Sequence, residues 1–248
     1  MTALTLALVA GAVVGLALGG LGGGGGSVLA VPTLIYLLGF TPAQAATASL
    51  IIVTLTSLPA LVGHARDGNV AWRTGLLFAA AGIVPAMLTG TAAGHLPQTA
   101  LTIAFALVAG LAALRMLRPS PARTTGTAHP GKAGAAGVGL GAVTGFLGVG
   151  GGFLAVPTLV GVLGLPMRRA VGTSLLVITA NSVAALGARA GSGTHLDWAV
   201  IAPFTAAAVL GAWDGKRLSY KLKGATLQRV FAWVLLAVTA FMLADALL

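Results

Sequence analysis

The sequence predicts an all-α polytopic membrane protein made of two inverted repeats, each a glycine-broken helix hairpin plus three transmembrane helices. Three observations predict it: a strongly apolar composition, a glycine-rich motif that occurs twice, and an uneven distribution of basic residues. Of the 248 residues, 57% are hydrophobic and 7% are charged, with a mean hydropathy of +1.00. Soluble domains carry about 25% charged residues. We therefore expect about eight full spans in ten apolar segments.

The repeated motif places glycine where a regular helix would be expected. The first copy reads GGGGGSVLAVPTL at 22–34, and the second reads LGVGGGFLAVPTL at 147–159. Irregular backbone at membrane depth is tolerated only where it is buried in protein or lines a cavity. Two such breaks at matching positions in two halves point to the binding site of a transporter.

The internal repeat extends beyond the motif. Pro32 and Pro157 lie 125 residues apart, and the same shift superposes Ser49 on Ser174 as well as later Thr, Ser and Ala positions. We therefore divide the chain into a first repeat at 1–118, a cytoplasmic linker at 119–132 and a second repeat at 133–248. The linker is polar and contains Pro and Gly, as connecting segments do.

Five apolar segments are expected in each repeat. They run at about 3–20, 28–40, 44–63, 74–93 and 98–117, and at about 134–147, 153–165, 170–188, 198–213 and 226–247. The second segment of each repeat, which holds the motif proline, is too short for a comfortable span of about 20 residues. Whether these hairpins cross the bilayer fully or re-enter from one side stays open.

The basic residues choose between two topologies. If each short segment merely continued the preceding helix, the 14 basic residues would divide seven and seven between the two sides. If the chain reverses at each glycine run, loops 64–73, 115–133, 166–169 and 214–229 share one side and hold 13 of the 14, leaving Arg189 opposite. Because basic loops stay cytoplasmic, the second topology is favoured. It predicts inverted halves with both termini outside, in the periplasm.

The glycine turns suit anion binding. Pro32 and Pro157 fit the first turn of a short helix, and helix N-termini offer free N–H donors and partial positive charge. The alternative is that the glycines only permit close helix packing, which we prefer for the isolated pair Gly11-x-x-x-Gly15.

Hydroxyl-rich segments follow both short helices. Neutral donors can hold an oxyanion without a buried charge, although Ser and Thr also bond to their own helix backbone. We favour Ser49 and Ser174, which occupy matching repeat positions, and Asn181, the most polar side chain within a predicted span. The segments contain Thr47, Ser49, Thr54, Thr56 and Ser57 in the first repeat, and Thr173, Ser174, Thr179, Asn181 and Ser182 in the second.

Few charged groups lie near the spans. His64 and Arg189 occupy matching repeat positions and are candidates for coupling or gating; the alternative is snorkelling at the interface. No carboxylate is expected in mid-span. His64 is therefore the nearby group suited to proton transfer near neutral pH.

Other classes of protein are disfavoured. Cysteine is absent, which excludes disulfides and thiolate chemistry. The sequence contains no P-loop, H-E-x-x-H or G-x-S-x-G motif, so we expect neither an enzyme nor a cofactor or metal. The net charge of +10 is attributed to cytoplasmic loops, and nucleic acid is not an expected partner. Trp72 and Trp198 fit anchoring at the membrane interface.

The doubled motif, together with Ala-Thr-Ala-Ser-Leu at 46–50 and Val-Gly-Thr-Ser-Leu at 171–175, resembles the TauE/SafE family of sulfite exporters over nearly the whole chain. The resemblance implies a bacterial or archaeal-type transporter in the cell (inner) membrane for sulfite, sulfoacetate or a related organosulfur anion, more often exporting than importing. It also implies that the motif glycines and the following Ser and Thr residues lie near the substrate.

The sequence thus predicts a secondary transporter of a small anion that works by alternating access. An anion channel and a non-transporting receptor or assembly protein remain as alternatives. The anion, the direction, the coupling ion and the oligomeric state are open, with a homodimer as one option. The expected substrate-binding residues are Gly23, Gly24, Gly25, Gly26, Ser27, Pro32, Ser49, Gly148, Gly150, Gly151, Gly152, Pro157, Thr173, Ser174 and Asn181.

Overall fold

The computed structural model of the protein describes residues 3–21, 29–93, 98–117, 130–146, 152–189, 196–221 and 224–247. Within these ranges all regular structure is helical, in ten elements, which confirms the ten predicted segments. The elements are α1 (Ala3–Leu21), α2 (Thr33–Leu37, wound as a π-helix), α3 (Pro42–Arg66), α4 (Trp72–Ala93), α5 (Gln98–Leu117), α6 (Pro130–Phe146), α7 (Gly152–Gly161), α8 (Met167–Arg189), α9 (Trp198–Lys221) and α10 (Gly224–Leu247).

Four helices of the described chain are long and apolar enough to cross a membrane. They contain the stretches Gln44–Arg66, Met167–Gly187, Trp198–Gly215 and Ala225–Ala244. Shorter apolar stretches lie in α1, α4 and α5. The membrane character of the fold is therefore evident from helix length and composition, while the count of eight full spans stays a prediction.

Local sequence signals explain where α2, α3 and α7 begin or end. Thr41 caps α3 in a capping box, in which its Oγ1 accepts from the Gln44 N–H at 3.4 Å and its own N–H donates to Gln44 Oε1 at 3.1 Å. Gly39 and Gly164, 125 residues apart, follow α2 and α7 with φ values of +71° and +67°. Glycine adopts this left-handed conformation without a steric penalty, so the same turn ends both short helices.

The motif prolines lie deeper in their helices than the sequence predicted. Residues 29–31 are already helical ahead of Pro32, and α7 begins at Gly152, five residues before Pro157. The prediction that each proline occupies the first turn is therefore wrong for α7. Pro157 cannot donate a helical hydrogen bond to the carbonyl of residue 153, which lies in the first turn of α7.

Glycines bring α1 against α9. A methyl group added at Gly11, Gly15 or Gly19 would overlap the α9 backbone at Phe204, Ala208 or Ala212, respectively. The contact points advance together along both chains, so α1 and α9 run in the same direction. The packing interpretation of Gly11-x-x-x-Gly15 is confirmed, since small residues let helix backbones approach closely.

The pair α4 and α6 repeats this arrangement. A methyl group at Gly137 would overlap the backbone of Phe78, and one at Gly141 that of Gly82, so these two helices are also parallel. Gly137 and Gly141 lie 126 residues after Gly11 and Gly15, and Phe204 lies 126 residues after Phe78. Each repeat thus contributes its first helix to a partner in the other repeat.

The helices α3 and α8 pack against each other in opposite directions. Ser57 of α3 meets Thr179 of α8, whereas His64, further along α3, lies beside Gly172, which comes earlier in α8. The largest apolar core surrounds α7 and joins it to α4, α5, α6, α8 and α10.

Candidate functional site

A seam of buried hydroxyl groups lies along α3 and α8. We call it the hydroxyl seam. Among the described residues of these two helices, charged side chains occur only near the helix ends. The seam therefore offers neutral hydrogen-bonding groups in an otherwise apolar interior. Its members are Thr47, Ser49, Thr54, Thr56 and Ser57 of α3, and Thr173, Ser174, Thr179 and Ser182 of α8, each at most 9% exposed.

One hydrogen bond joins the two helices across the seam. Ser57 Oγ lies 2.7 Å from Thr179 Oγ1, and Thr179 Oγ1 donates to the Leu175 carbonyl at 2.7 Å. A hydroxyl has a single proton, so Ser57 supplies the proton of the bridge when Thr179 bonds to its own helix. The bridge links residues 122 positions apart in the chain and so ties the two repeats together.

Ser49 and Ser174 have the same local geometry. Ser49 Oγ donates to the Ala46 carbonyl at 2.9 Å, and Ser174 Oγ donates to the Val171 carbonyl at 2.8 Å. Both hydroxyls therefore make the backbone bond that the sequence left as the alternative. To donate to an anion, each would have to exchange this bond for one to the ligand.

Thr173 has a structural contact. Its Oγ1 accepts from the Ala71 N–H at 3.0 Å, which holds the segment between α3 and α4 against α8. A methyl group at Gly75 of α4 would meet Thr173 Cγ2 at 3.0 Å, so α4 packs closely here. Thr173 thus lies at the end of the seam where α3 meets α4.

Asn181 offers an unsatisfied polar atom. The residue is half-buried in α8, and its Oδ1 is buried without a hydrogen-bond partner in the described part of the chain. Buried polar atoms of this kind usually have a partner. The amide oxygen and nitrogen can exchange places by a flip of the side chain, so this position can present either an acceptor or a donor.

His64 is 3% exposed and belongs to the same helix pair. A methyl group at Gly172 would lie 3.2 Å from His64 Cβ, and the Asn69 N–H donates to the His64 carbonyl at 2.9 Å. The imidazole is therefore inside the protein rather than snorkelling at its surface. Arg189 is the last residue of α8, and its side chain lies outside the described structure.

The short helix α7 packs against α8, which carries one side of the hydroxyl seam. The two helices are joined by residues 162–166. Pro157 is buried within α7. Gly23, Gly24, Gly25, Gly26, Ser27, Gly148, Gly150 and Gly151 lie outside the described residues.

A cavity of about 450 Å³ was not predicted from the sequence, although Pro157, one of the residues expected near the substrate, is part of its lining. It is bounded by α5, α7 and α10, and its polar lining includes Arg115 and Gln228. In the sequence, Arg115 and Gln228 are polar residues at the ends of apolar segments. The sequence does not show that they are close in space, because this depends on how α5 packs against α10.

The apolar helices, the paired short helices and the buried neutral seam define a multi-pass membrane transporter. The chain matches the family Sulfite exporter TauE/SafE over residues 7–242. It belongs to this family, whose members are transporters rather than enzymes.

Relatives of similar length support the assignment. The chain is 32% identical over 252 residues to a "Probable membrane transporter protein" of Xylella fastidiosa (strain 9a5c), covering 97% of this chain and 95% of the relative. It is 29% identical over 241 residues to the "Probable membrane transporter protein YunE" of Bacillus subtilis (strain 168), covering 86% and 84%.

Proposed function

We propose that this protein is a secondary transporter that exports a small anion, sulfite or an organosulfur anion, by alternating access. The substrate is held between the two glycine-rich turns, against the hydroxyl seam. The observation that carries the proposal is the seam itself, in which hydroxyl groups from both repeats are buried and the described residues of α3 and α8 include no carboxylate.

The chemistry of the seam favours an anion over a cation. Transported cations are usually met by carboxylates or ordered carbonyl oxygens, whereas described residues of α3 and α8 contain no carboxylate. The N-terminus of α7, a helix that contacts α8, offers backbone N–H donors and a partial positive charge. Asn181 adds an amide that can turn its NH₂ group towards an oxyanion.

The helix directions support an inverted relationship between the repeats. In inverted repeats, equivalent helices point in opposite directions across the membrane. The equivalent helices α3 and α8 are antiparallel. The parallel pairs α1–α9 and α4–α6 are equivalent to each other, because α6 is the counterpart of α1 and α9 is the counterpart of α4. The bridge between Ser57 and Thr179 lies on the surface between the halves, where rocking of one half against the other would alter access.

The proposed membrane orientation follows the basic loops. It places the linker at 119–132 in the cytoplasm and both termini outside, with the protein in the bacterial inner membrane.

His64 is a second component of the proposal. Because the imidazole is buried beside α8 and can bind or release a proton at a ring nitrogen, it is suited to couple proton movement to transport. A His64→Ala variant with unchanged pH dependence of transport would exclude this coupling role.

The test is a flux assay with the purified full chain in liposomes. We expect saturable, gradient-dependent movement of sulfite or a related anion such as thiosulfate or sulfoacetate. Flux that rises linearly with concentration would instead support an anion channel. The absence of flux for all these anions would support a receptor or assembly role and contradict the proposal.

Variants locate the substrate within the seam. Ser174→Ala, Ser49→Ala and Asn181→Ala should each lower kcat/KM by about tenfold or more, as expected for the loss of one hydrogen bond to a charged ligand. Thr239→Val is the matched control, since it removes a buried hydroxyl from α10, on the side that faces Gly110 of α5. Equal effects of the seam variants and the control would contradict a site in the seam.

A further inference from the structure

The cavity beside α5 has one polar end and apolar walls. Arg115 lies in the last turn of α5, and Gln228 lies near the start of α10. Gln228 Nε2 donates to the Met116 carbonyl at 2.7 Å, which fixes α10 against the end of α5. The remaining lining is mainly aliphatic and includes Leu111 and Val162, which are 57% and 61% exposed.

The cavity opens on the outer surface of the helix bundle. Leu111 and Val162 are exposed apolar side chains at its mouth, and such surfaces in membrane proteins face acyl chains. Arg115 is also exposed. An arginine at a helix end beside an apolar groove combines a site for a phosphate with a channel for a hydrocarbon chain.

A second basic residue follows the lining residue Gln228 in the chain. Arg229, next to Gln228, is exposed. The charge at this end is therefore complementary to an anionic headgroup.

The equivalent place in the other repeat is filled. Tyr36 lies 125 residues before Gly161 of the cavity, and Phe241 lies 126 residues after Arg115. The rings of Tyr36 and Phe241 contact edge to face, with centroids 5.4 Å apart. The cavity has Gly161 and Arg115 where the equivalent arrangement has the aromatic pair Tyr36 and Phe241, so the repeat relationship does not account for the cavity.

We infer that this cavity is a binding site for one anionic glycerophospholipid of the cytoplasmic leaflet. The phosphate pairs with the Arg115 guanidinium, and an acyl chain lies in the apolar part between α5 and α7. Arginine binds phosphate oxygens through two parallel N–H donors. The aliphatic walls of the cavity replace the contacts that the acyl chain makes with neighbouring lipids. Pro157, which is expected near the substrate, also lines this cavity.

The test is native mass spectrometry of the full chain in detergent, titrated with phosphatidylglycerol or phosphatidylcholine. We expect phosphatidylglycerol to bind about fivefold more tightly or better, equivalent to about 1 kcal/mol for one basic contact. Arg115→Gln should abolish this preference. Gly161→Tyr, which copies Tyr36 of the first repeat into open space, should weaken binding of both lipids.

Two matched controls keep the test specific. Arg73→Gln removes an exposed basic residue from α4, and Gly139→Tyr adds the same ring at an open glycine on α6; both should bind lipid as the unmodified chain does. Equal binding of the two lipids to the unmodified chain, or equal effects of Arg115→Gln and Arg73→Gln, would overturn the inference. Displacement of phosphatidylglycerol by soluble glycerol 3-phosphate would instead indicate a site for a free anion and also overturn it.

Discussion

Single side chains on α3 and α8 determine how the two repeats meet. Most seam hydroxyls for which a bond is described donate to a carbonyl one turn earlier in their own helix, as Thr54 does to Leu50 at 2.7 Å. Ser57 and Thr179 differ because their oxygens also lie 2.7 Å from each other. This pair is therefore the residue-scale link between α3 and α8.

The link can be measured by a double-mutant cycle. Ser57→Ala and Thr179→Val each remove one hydroxyl and keep nearly the same volume. We expect a coupling free energy of about 0.6 kcal/mol, the average for interhelical hydrogen bonds in a membrane. The measurement is unfolding in a denaturing detergent; additive effects of the two substitutions would show that the 2.7 Å contact contributes no coupling.

At the scale of whole helices, glycines set the distances between neighbours. Gly141 and Gly139 lie on the same helix, α6, but a Cβ at Gly141 would overlap the backbone of Gly82, whereas a Cβ at Gly139 would meet nothing within 4 Å. Substitutions at these two positions of α6 therefore distinguish the effect of helix propensity on stability from the effect of packing against α4.

Gly141→Ala should destabilise the protein by about 1–3 kcal/mol, because the added methyl group must push α6 away from α4. Gly139→Ala should be neutral or stabilise it by up to about 1 kcal/mol, since alanine is the better helix former. Thermal unfolding of both variants in the same detergent tests this. A Gly141→Ala protein as stable as the Gly139→Ala protein would contradict close contact between α4 and α6.

The extent of each helix was predictable, but some internal details were not. The apolar segments located all ten elements, because a bilayer-spanning or buried helix must be continuously apolar. The position of Pro157 was misjudged, because the sequence preference of proline for a first turn does not reveal that the packed core around Leu154 and Leu159 extends α7 backwards to Gly152.

On the scale of the whole molecule, the proposed orientation rests on the charge of the loops. The chain has no cysteine. A single introduced cysteine is therefore the one thiol that a maleimide can label, and its labelling shows on which side of the membrane it lies. Asp67 is exposed between α3 and α4, and Ser120 belongs to the linker; both lie on the side proposed as cytoplasmic. Thr2 and Thr194 lie in segments proposed to be outside.

We expect a membrane-impermeant maleimide to label Thr2→Cys and Thr194→Cys in intact spheroplasts. Asp67→Cys and Ser120→Cys should react only after permeabilisation. Labelling of all four in permeabilised membranes is the control for reactivity. If Thr2→Cys and Ser120→Cys were labelled from the same side, the first repeat would cross the membrane an even number of times, and the inverted arrangement would be wrong.

By itself, the sequence determined the membrane class, the two glycine-rich motifs, the ten helical segments and the neutral, hydroxyl-rich character of α3 and α8. These properties follow from local composition, since hydropathy, glycine content and charge act on each segment separately. Only the tertiary structure decided that Ser57 meets Thr179, that α1 pairs with α9 and α6 with α4, and that Arg115 and Gln228 share a cavity. Such contacts join residues far apart in the chain, and they depend on which helix faces can approach closely, a property of the packed bundle as a whole.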